Sequence, residues 1–290
     1  MIVWPQDLVR DIARRKCVLF LGAGVSKNAK NKGGERPKDW EEFLRLLCSR
    51  VSDSARRDEI TECINANDYL TACELARKYL RPDNFKSELL KEFSDKAFEG
   101  GAIHDDIARL DSRYVLTTNF DKVYENRANQ VQQNTVLVKS YYDEDVADLL
   151  RRSQRVVLKV HGTIDAPDRT VFTRSDYAKM RTKYAHFYRL LESLFLTHTF
   201  VFLGASMRDP DIQLLLEDYA YRFAGSRPHF MVMPVGSLAP GKLDVLEESM
   251  NLRALTYDSV NHHQLLADSI ASLRLDVEAE RGSLSSLQDW

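Results

Sequence analysis

The sequence predicts an α/β fold: a largely parallel sheet with helices on both faces and an inserted helical subdomain. Short apolar runs recur between long helical patterns. Most of these runs are near-continuous Val, Leu and Phe rather than alternating, as expected of strands covered on both faces. The rhythm breaks once, between about Trp40 and Leu110, where amphipathic helical patterns take over.

The strands expected in chain order are "CVLFLG" (17–22), "YVLTTN" (114–119), "TVLVKS" (135–140), "VVLKVHG" (156–162), "TFVFLGAS" (199–206), "HFMVMPVG" (229–236) and "LRALTYD" (252–258). Inside the interruption, "DWEEFLRLLCSRV", "NDYLTACELARKYL" and "NFKSELLKEFSDKAF" read as helices. Asp39 is placed to cap the first, with Glu42 completing a capping box. This helical insertion, about residues 36–110, is either a lid or peripheral packing. "GTIDAPDRT" (162–170) reads as a tight turn, and "HQLLADSIASLRLDVEAE" as a long closing helix. Residues 1–280 thus form one domain, and 281–290 read as a mobile tail whose Trp290 is suited to docking on a neighbour.

Composition excludes several classes. The 290 residues are 44% hydrophobic and 29% charged, which excludes wholesale disorder, and a net charge of -2 gives no global basic field for nucleic acid. "ARRK" (13–16) and "RRSQR" (151–155) read as solvated charge at strand entrances. The N-terminus is too poor in apolar residues for a signal peptide or membrane span. Cys17, Cys48, Cys63 and Cys73 form no CxxC pair, so neither a zinc ribbon nor a disulfide framework is expected, and no metal. A reduced cytoplasmic location is the default.

The polar residues gather where the strands end. In open α/β sheets, ligands bind outside the carboxyl ends of the strands. Gly22 and Gly24 follow a strand, and bare backbone there lets N–H groups approach a pyrophosphate; packing is the alternative reading. The third glycine of GxGxxG is absent, and Asp39 opens a helix instead of ending a strand, so hydride transfer is disfavoured. Asn119 and Asp121 in "TTNFD" are either helix caps or site residues. His161 ends another strand. Lys159 shares its face in an extended chain, or else forms a salt bridge. Asp209 and Asp211 read as caps, with Pro210 suited to a first helical turn. His104, His186, His198, His229, His262 and His263 lack partner motifs and read as structural or surface residues. A histidine base, an orienting carboxamide and a carboxylate near a developing cation form a set able to cleave an N-glycosidic bond.

"GAGVS" (22–26), "TTNFD" (117–121), "KVHGT" (159–163) and "FLGASMRDPDI" (202–212) also occur in the order seen in the Sir2 superfamily. Across about residues 14–260 the chain resembles the bacterial SIR2-like branch of anti-phage defence systems. That resemblance implies a Rossmann-like fold and hydrolysis of NAD+, as substrate, to nicotinamide and ADP-ribose. It implies that Gly22, Ala23, Gly24, Ser26, Thr118, Gly204 and Ser206 hold the dinucleotide. Asn119 would position ribose or water, Asp121 would stabilise positive charge and His161 would act as base. The chain departs from sirtuin deacylases: Thr117-Thr118-Asn119 replaces TQN, and the zinc cysteines and the Pro-Asp-Phe-Arg loop are missing. Only a turn and a helix are expected between Thr163 and Thr199, so the acyl-lysine platform is missing too. Two other readings stay open: a non-catalytic NAD or ADP-ribose sensor, and a zinc-free deacylase or ADP-ribosyltransferase. With the sequence ending soon after the predicted core, no C-terminal sensor domain is expected. Control is then expected from a homo-oligomer or a separate partner chain, a HerA-type ATPase before an Argonaute-type protein.

Overall fold

The computed structural model describes residues 1–287, apart from the side chains of His262 and Leu287. Seven strands form one sheet: β1 (Cys17–Leu21), β2 (Tyr114–Thr117), β3 (Val136–Ser140), β4 (Arg155–Lys159), β5 (Thr199–Leu203), β6 (His229–Pro234) and β7 (Leu252–Tyr257). Their order is β3-β4-β2-β1-β5-β6-β7, and every neighbouring pair is parallel. The Rossmann-like expectation holds, strand for strand. Except for β3, which ends at Ser140 as expected, the runs overshoot at their carboxyl ends, because the residues there leave the sheet.

Side-chain alternation along β1 builds two cores. Cys17, Leu19 and Leu21 face one layer, packed with the helices Gln6–Ala13, Ala102–Arg109, Val123–Val131 and Val260–Leu287. Val18 and Phe20 face the other, packed with Arg174–Lys183, Ala185–Thr197, Pro210–Arg222 and Pro240–Met250. Two helices, rather than the expected one, therefore fill the stretch before β5.

The insertion has a third core. Phe43, Leu47, Ile60, Ala72 and Phe85 are buried together with Ile164 and Phe172, which come from the loop after β4. The Asp39 carboxylate accepts from the Glu42 N–H, and the Glu42 carboxylate accepts from the Asp39 N–H, completing the expected capping box. Ser54–Asn65 is a further helix, mostly polar, that buries only Ile60 and Ile64. Ala102–Arg109 packs in the first core instead, so the insertion is shorter than the 36–110 expected.

The supposed tail is corrected as far as it is described. The closing helix continues to Leu287 because Leu284 is buried and the Arg281 guanidinium donates to the carbonyls of Ile12, Ala13 and Leu110. Trp290 lies outside the described residues. The two basic runs are not merely solvated either: Arg15 and Arg155 converge on Asp111 at the opposite edge from the polar strand ends. Burial raises the Asp111 carboxyl, but the two guanidinium groups outweigh it and hold it below the ordinary aspartate value.

β1 and β5 meet through backbone beyond their last paired residues. The Gly22 N–H donates to the Leu203 carbonyl and the Gly24 N–H to the Gly204 carbonyl, each at 2.9 Å. A Cβ on Gly22 would fall 2.4 Å from the Gly204 oxygen, and one on Gly204 would fall 2.5 Å from the Val25 nitrogen. Gly204 also has φ +61°, a left-handed conformation that strains other residues. Gly204→Ala is therefore expected to destabilise the fold by about 1–3 kcal/mol or more, read from the urea midpoint. An unchanged midpoint would show that the seam can open without cost.

Candidate active site

Sheet register sets the site. Leu21 lies opposite both Thr117 and Leu203, and Thr117 lies opposite Lys159. Asn119 and His161 each stand two residues past the paired Thr117 and Lys159, so two adjacent strands release them at one level. The turn after β4 needs Gly162, whose φ is +83° and whose Cβ would meet the Arg169 carbonyl at 2.6 Å. The Ile164 N–H then donates to the Phe120 carbonyl, tying the β4 loop to the β2 loop.

Asn119 is fixed against β1. Its Nδ2 donates to the Gly22 carbonyl and to Ser26 Oγ, both at 3.0 Å. A carbonyl can only accept, so the amide orientation is determined. The Asn119 N–H donates to Thr117 Oγ1, whose hydroxyl in turn donates to the Leu21 carbonyl. Among the described residues no donor meets Asn119 Oδ1.

His161 is buried and paired. Its Nε2 donates to Asp209 Oδ2 at 2.8 Å, and its ring lies edge-on to Tyr177, with centroids 5.3 Å apart. The Tyr177 hydroxyl donates to the same Asp209 oxygen at 2.9 Å. Burial pushes the Asp209 carboxyl up; His161, the Ile212 N–H and Tyr177 together outweigh this and hold it below the ordinary aspartate value. Sequence reasoning assigned Asp209 only to a cap. The cap is real, but the residue also orients the histidine. Its place in "MRDPDI", at the fourth polar strand end, was the available signal. Asp211 does not share the cap: its carboxylate accepts from Arg181 and Tyr188, beside a recess of about 310 Å³ behind the helix Pro210–Arg222.

Two expected roles change. The N–H groups of Gly22 and Gly24 are taken by the Leu203 and Gly204 carbonyls, so these glycines close a seam rather than offer amides to a phosphate. Asp121 is buried, its Oδ1 accepts from the Val123 N–H, and its backbone carbonyl accepts from Lys159 Nζ. Its carboxylate thus ties down the first N–H of the helix Val123–Val131 from two residues before it, and among the described residues it forms no hydrogen bond with Asn119 or His161. Ala23 and Thr118 are half-buried beside the seam, and Ser206 is exposed.

Lys159 forms the salt bridge. Its ammonium is fully buried and lies 2.8 Å from the equally enclosed Glu125 carboxylate. Burial raises the Glu125 carboxyl; Lys159 counters part of this, and nearby Asp121 adds to it. The buried His104 and His229 and the half-buried His198 stay with the scaffold. Burial pushes His229 and His198 down to about 4, and His104 is lowered chiefly for the same reason.

The insertion reaches this edge of the sheet. Arg77 pairs with Asp176, Arg174 with Asp68, and Arg208 lies over the Tyr69 ring while pairing with Glu41. The lid and packing readings converge: the insertion packs, and it packs on the loops that carry the site.

An open parallel sheet with polar side chains gathered at the ends of its inner strands is the arrangement in which α/β proteins bind ligands at the carboxyl edge. Residues 113–255 match the family model described as a SIR2-like domain. The chain carries a SIR2-like domain over that stretch. It is 34% identical over 228 residues to the NAD(+) hydrolase ThsA of Enterococcus faecium, covering 77% of this chain and 44% of that protein. It is 22% identical over 245 residues to the NAD(+) hydrolase ThsA of Bacillus cereus (strain MSX-D12), covering 82% of this chain and 47% of that protein. Defense-associated sirtuin 2 of Bacillus subtilis is 26% identical over 219 residues, covering 73% of this chain and 20% of that protein. The chain thus spans less than half the length of each of these relatives. β1 and its glycine turn lie outside the family-model match, yet they form the centre of the sheet.

Two stability tests follow. Lys159→Met alone strands a buried carboxylate and is expected to cost about 3–5 kcal/mol, whereas Lys159→Met with Glu125→Leu should recover most of that. Equal losses in chemical denaturation would argue against the pair. The Asp209 carboxyl has a folded pKa below its unfolded value of about 3.9, so its stabilisation is present above that pH and is lost as pH falls through the folded value. Asp209→Asn should flatten the acid limb of the stability profile; an unaltered limb would contradict this.

Proposed function

We propose that this chain hydrolyses NAD+ to nicotinamide and ADP-ribose, acting on the cytoplasmic pool as the depleting effector of an anti-phage defence system. The observation that carries the reading is the placement, at one level of adjacent strand ends, of a fixed carboxamide and a carboxylate-paired imidazole. The names of the relatives, NAD(+) hydrolase and defence-associated sirtuin, support it.

The glycine seam supplies a floor on which the dinucleotide lies close to backbone, with the hydroxyls of Ser206 and Thr118 beside its phosphates and ribose. The nicotinamide–ribose bond breaks through an oxocarbenium-like transition state, and the bonding pair leaves with nicotinamide. Water adds to C1′ of the ribose and loses a proton to His161. Asn119 Oδ1 accepts from that water or from a ribose hydroxyl and so orients it; Ser26 and Gly22 keep the carboxamide from turning. A homo-oligomer and a separate partner chain, of the HerA ATPase type before the Argonaute type, belong to the same proposal. Native mass measurement of the chain with and without that partner tests them.

Incubating the purified chain with NAD+, with and without the partner, should release nicotinamide and ADP-ribose without any acylated peptide. His161→Ala and Asn119→Ala should each reduce turnover by about 10²–10⁴-fold. Variants that consume NAD+ at the wild-type rate would overturn the site assignment. Binding of NAD+ with no product under either condition would make the chain a sensor.

A further inference from the structure

We propose that Asp209 is the positioning residue of the site: its carboxylate holds His161 as the Nε2–H tautomer and thereby makes Nδ1 the proton acceptor. The inference rests on the reading of His161 as the base for NAD+ cleavage.

An ionised carboxylate only accepts, and the four acceptor positions of Asp209 are all used. Oδ1 accepts from the backbone N–H groups of Asp211 at 3.0 Å and Ile212 at 2.9 Å, capping the helix Pro210–Arg222. Oδ2 accepts from the Tyr177 hydroxyl and from His161 Nε2. A neutral imidazole has one N–H, so a proton held on Nε2 leaves the lone pair on Nδ1. Among the described residues no partner meets Nδ1. Ring reversal is opposed by the edge-on Tyr177 ring and by burial: the His161 side chain is 8% exposed. Asp209 is itself anchored at the N-cap of a helix whose first turn begins with Pro210. The tautomer of the base is therefore set by the start of a 13-residue helix. In the reaction, water forms the new C–O bond at C1′, the C–N bond pair leaves with nicotinamide, and the water proton passes to Nδ1, giving an imidazolium whose Nε2–H stays on Asp209.

Asp209→Asn separates the two tasks of the carboxylate. Asparagine caps helices as well as aspartate does, so its Oδ1 keeps the Asp211 and Ile212 N–H groups. That choice turns Nδ2, a donor, toward His161. Nε2 must then accept, and the ring proton moves to Nδ1. An amide in place of an orienting carboxylate can leave geometry intact while presenting the wrong tautomer. The variant is expected to keep its native fold by circular dichroism and KM within about threefold, while kcat falls by about 10²–10⁴-fold.

The spectroscopic arm needs no substrate. Long-range ¹H–¹⁵N spectra of ¹⁵N-histidine-labelled protein, with His161 assigned by its loss in His161→Gln, should show Nε2–H in the wild type and Nδ1–H in Asp209→Asn. A wild-type Nδ1–H pattern, or an asparagine variant retaining kcat within about threefold, would overturn the proposal. If Asp209→Asn does not fold, the wild-type spectrum decides alone. If the wild type cleaves no NAD+, the functional reading fails, while the tautomer assignment stands or falls on its own spectrum.

Discussion

Two turns touch through bare backbone at the centre of the sheet, and the carboxyl edge is spaced from that contact. Gly22 and Gly24 after β1 exchange no side-chain volume with Gly204 after β5; there is no room for any. Because β1 and β5 lie where chain order reverses, this is also where an open α/β sheet parts to admit a ligand. The Gly22 carbonyl, held in place by the seam, becomes the acceptor that fixes Asn119. A constraint of packing thus propagates into the orientation of a carboxamide without any charged group taking part.

Charge enters one strand further out. Lys159 and Glu125 neutralise each other beneath the turn that carries His161, and Lys159 also holds the Asp121 carbonyl of the neighbouring loop. A buried pair of this kind adds little net stability over an apolar isostere. Its effect lies in registering two loops against each other. Above it, the Asp209 carboxylate is satisfied by four donors drawn from three parts of the chain. Asn119 and His161 are therefore each anchored through one nitrogen, while Asn119 Oδ1 and His161 Nδ1 meet no partner among the described residues.

Much of this is legible in the sequence. The five inner strands are near-continuous apolar runs, a signal that depends on burial of both faces, and the edge strands β3 and β7, only partly buried, still stood out by their Val and Leu. His161 and Asn119 were legible because polar residues terminating such runs stand out. Other features were hidden for physical reasons. Glycines that admit a ligand and glycines that admit another strand look alike, since both need only a missing Cβ. Asp209 announced its cap because the capped N–H groups follow it directly, while its histidine lies in a different loop and leaves no local trace. Ser54–Asn65 buries too narrow a stripe to betray a helix, and Leu284 was too isolated an apolar residue to mark the end of the closing one.

The insertion is continuous in sequence without being a separate unit of folding. Ile164 and Phe172, which complete its interior, belong to the loop that begins at His161, and Val171 within that loop donates its N–H to the His161 carbonyl. Recombination between relatives that exchanged the inserted helices alone would pair foreign surfaces at a buried apolar junction. The exchangeable cassette is discontinuous: the helices from Trp40 to Leu90 together with the run from Ile164 to Phe172. Divergence in the cap over the site is thereby tethered to the sequence beside the histidine, and the two must drift together.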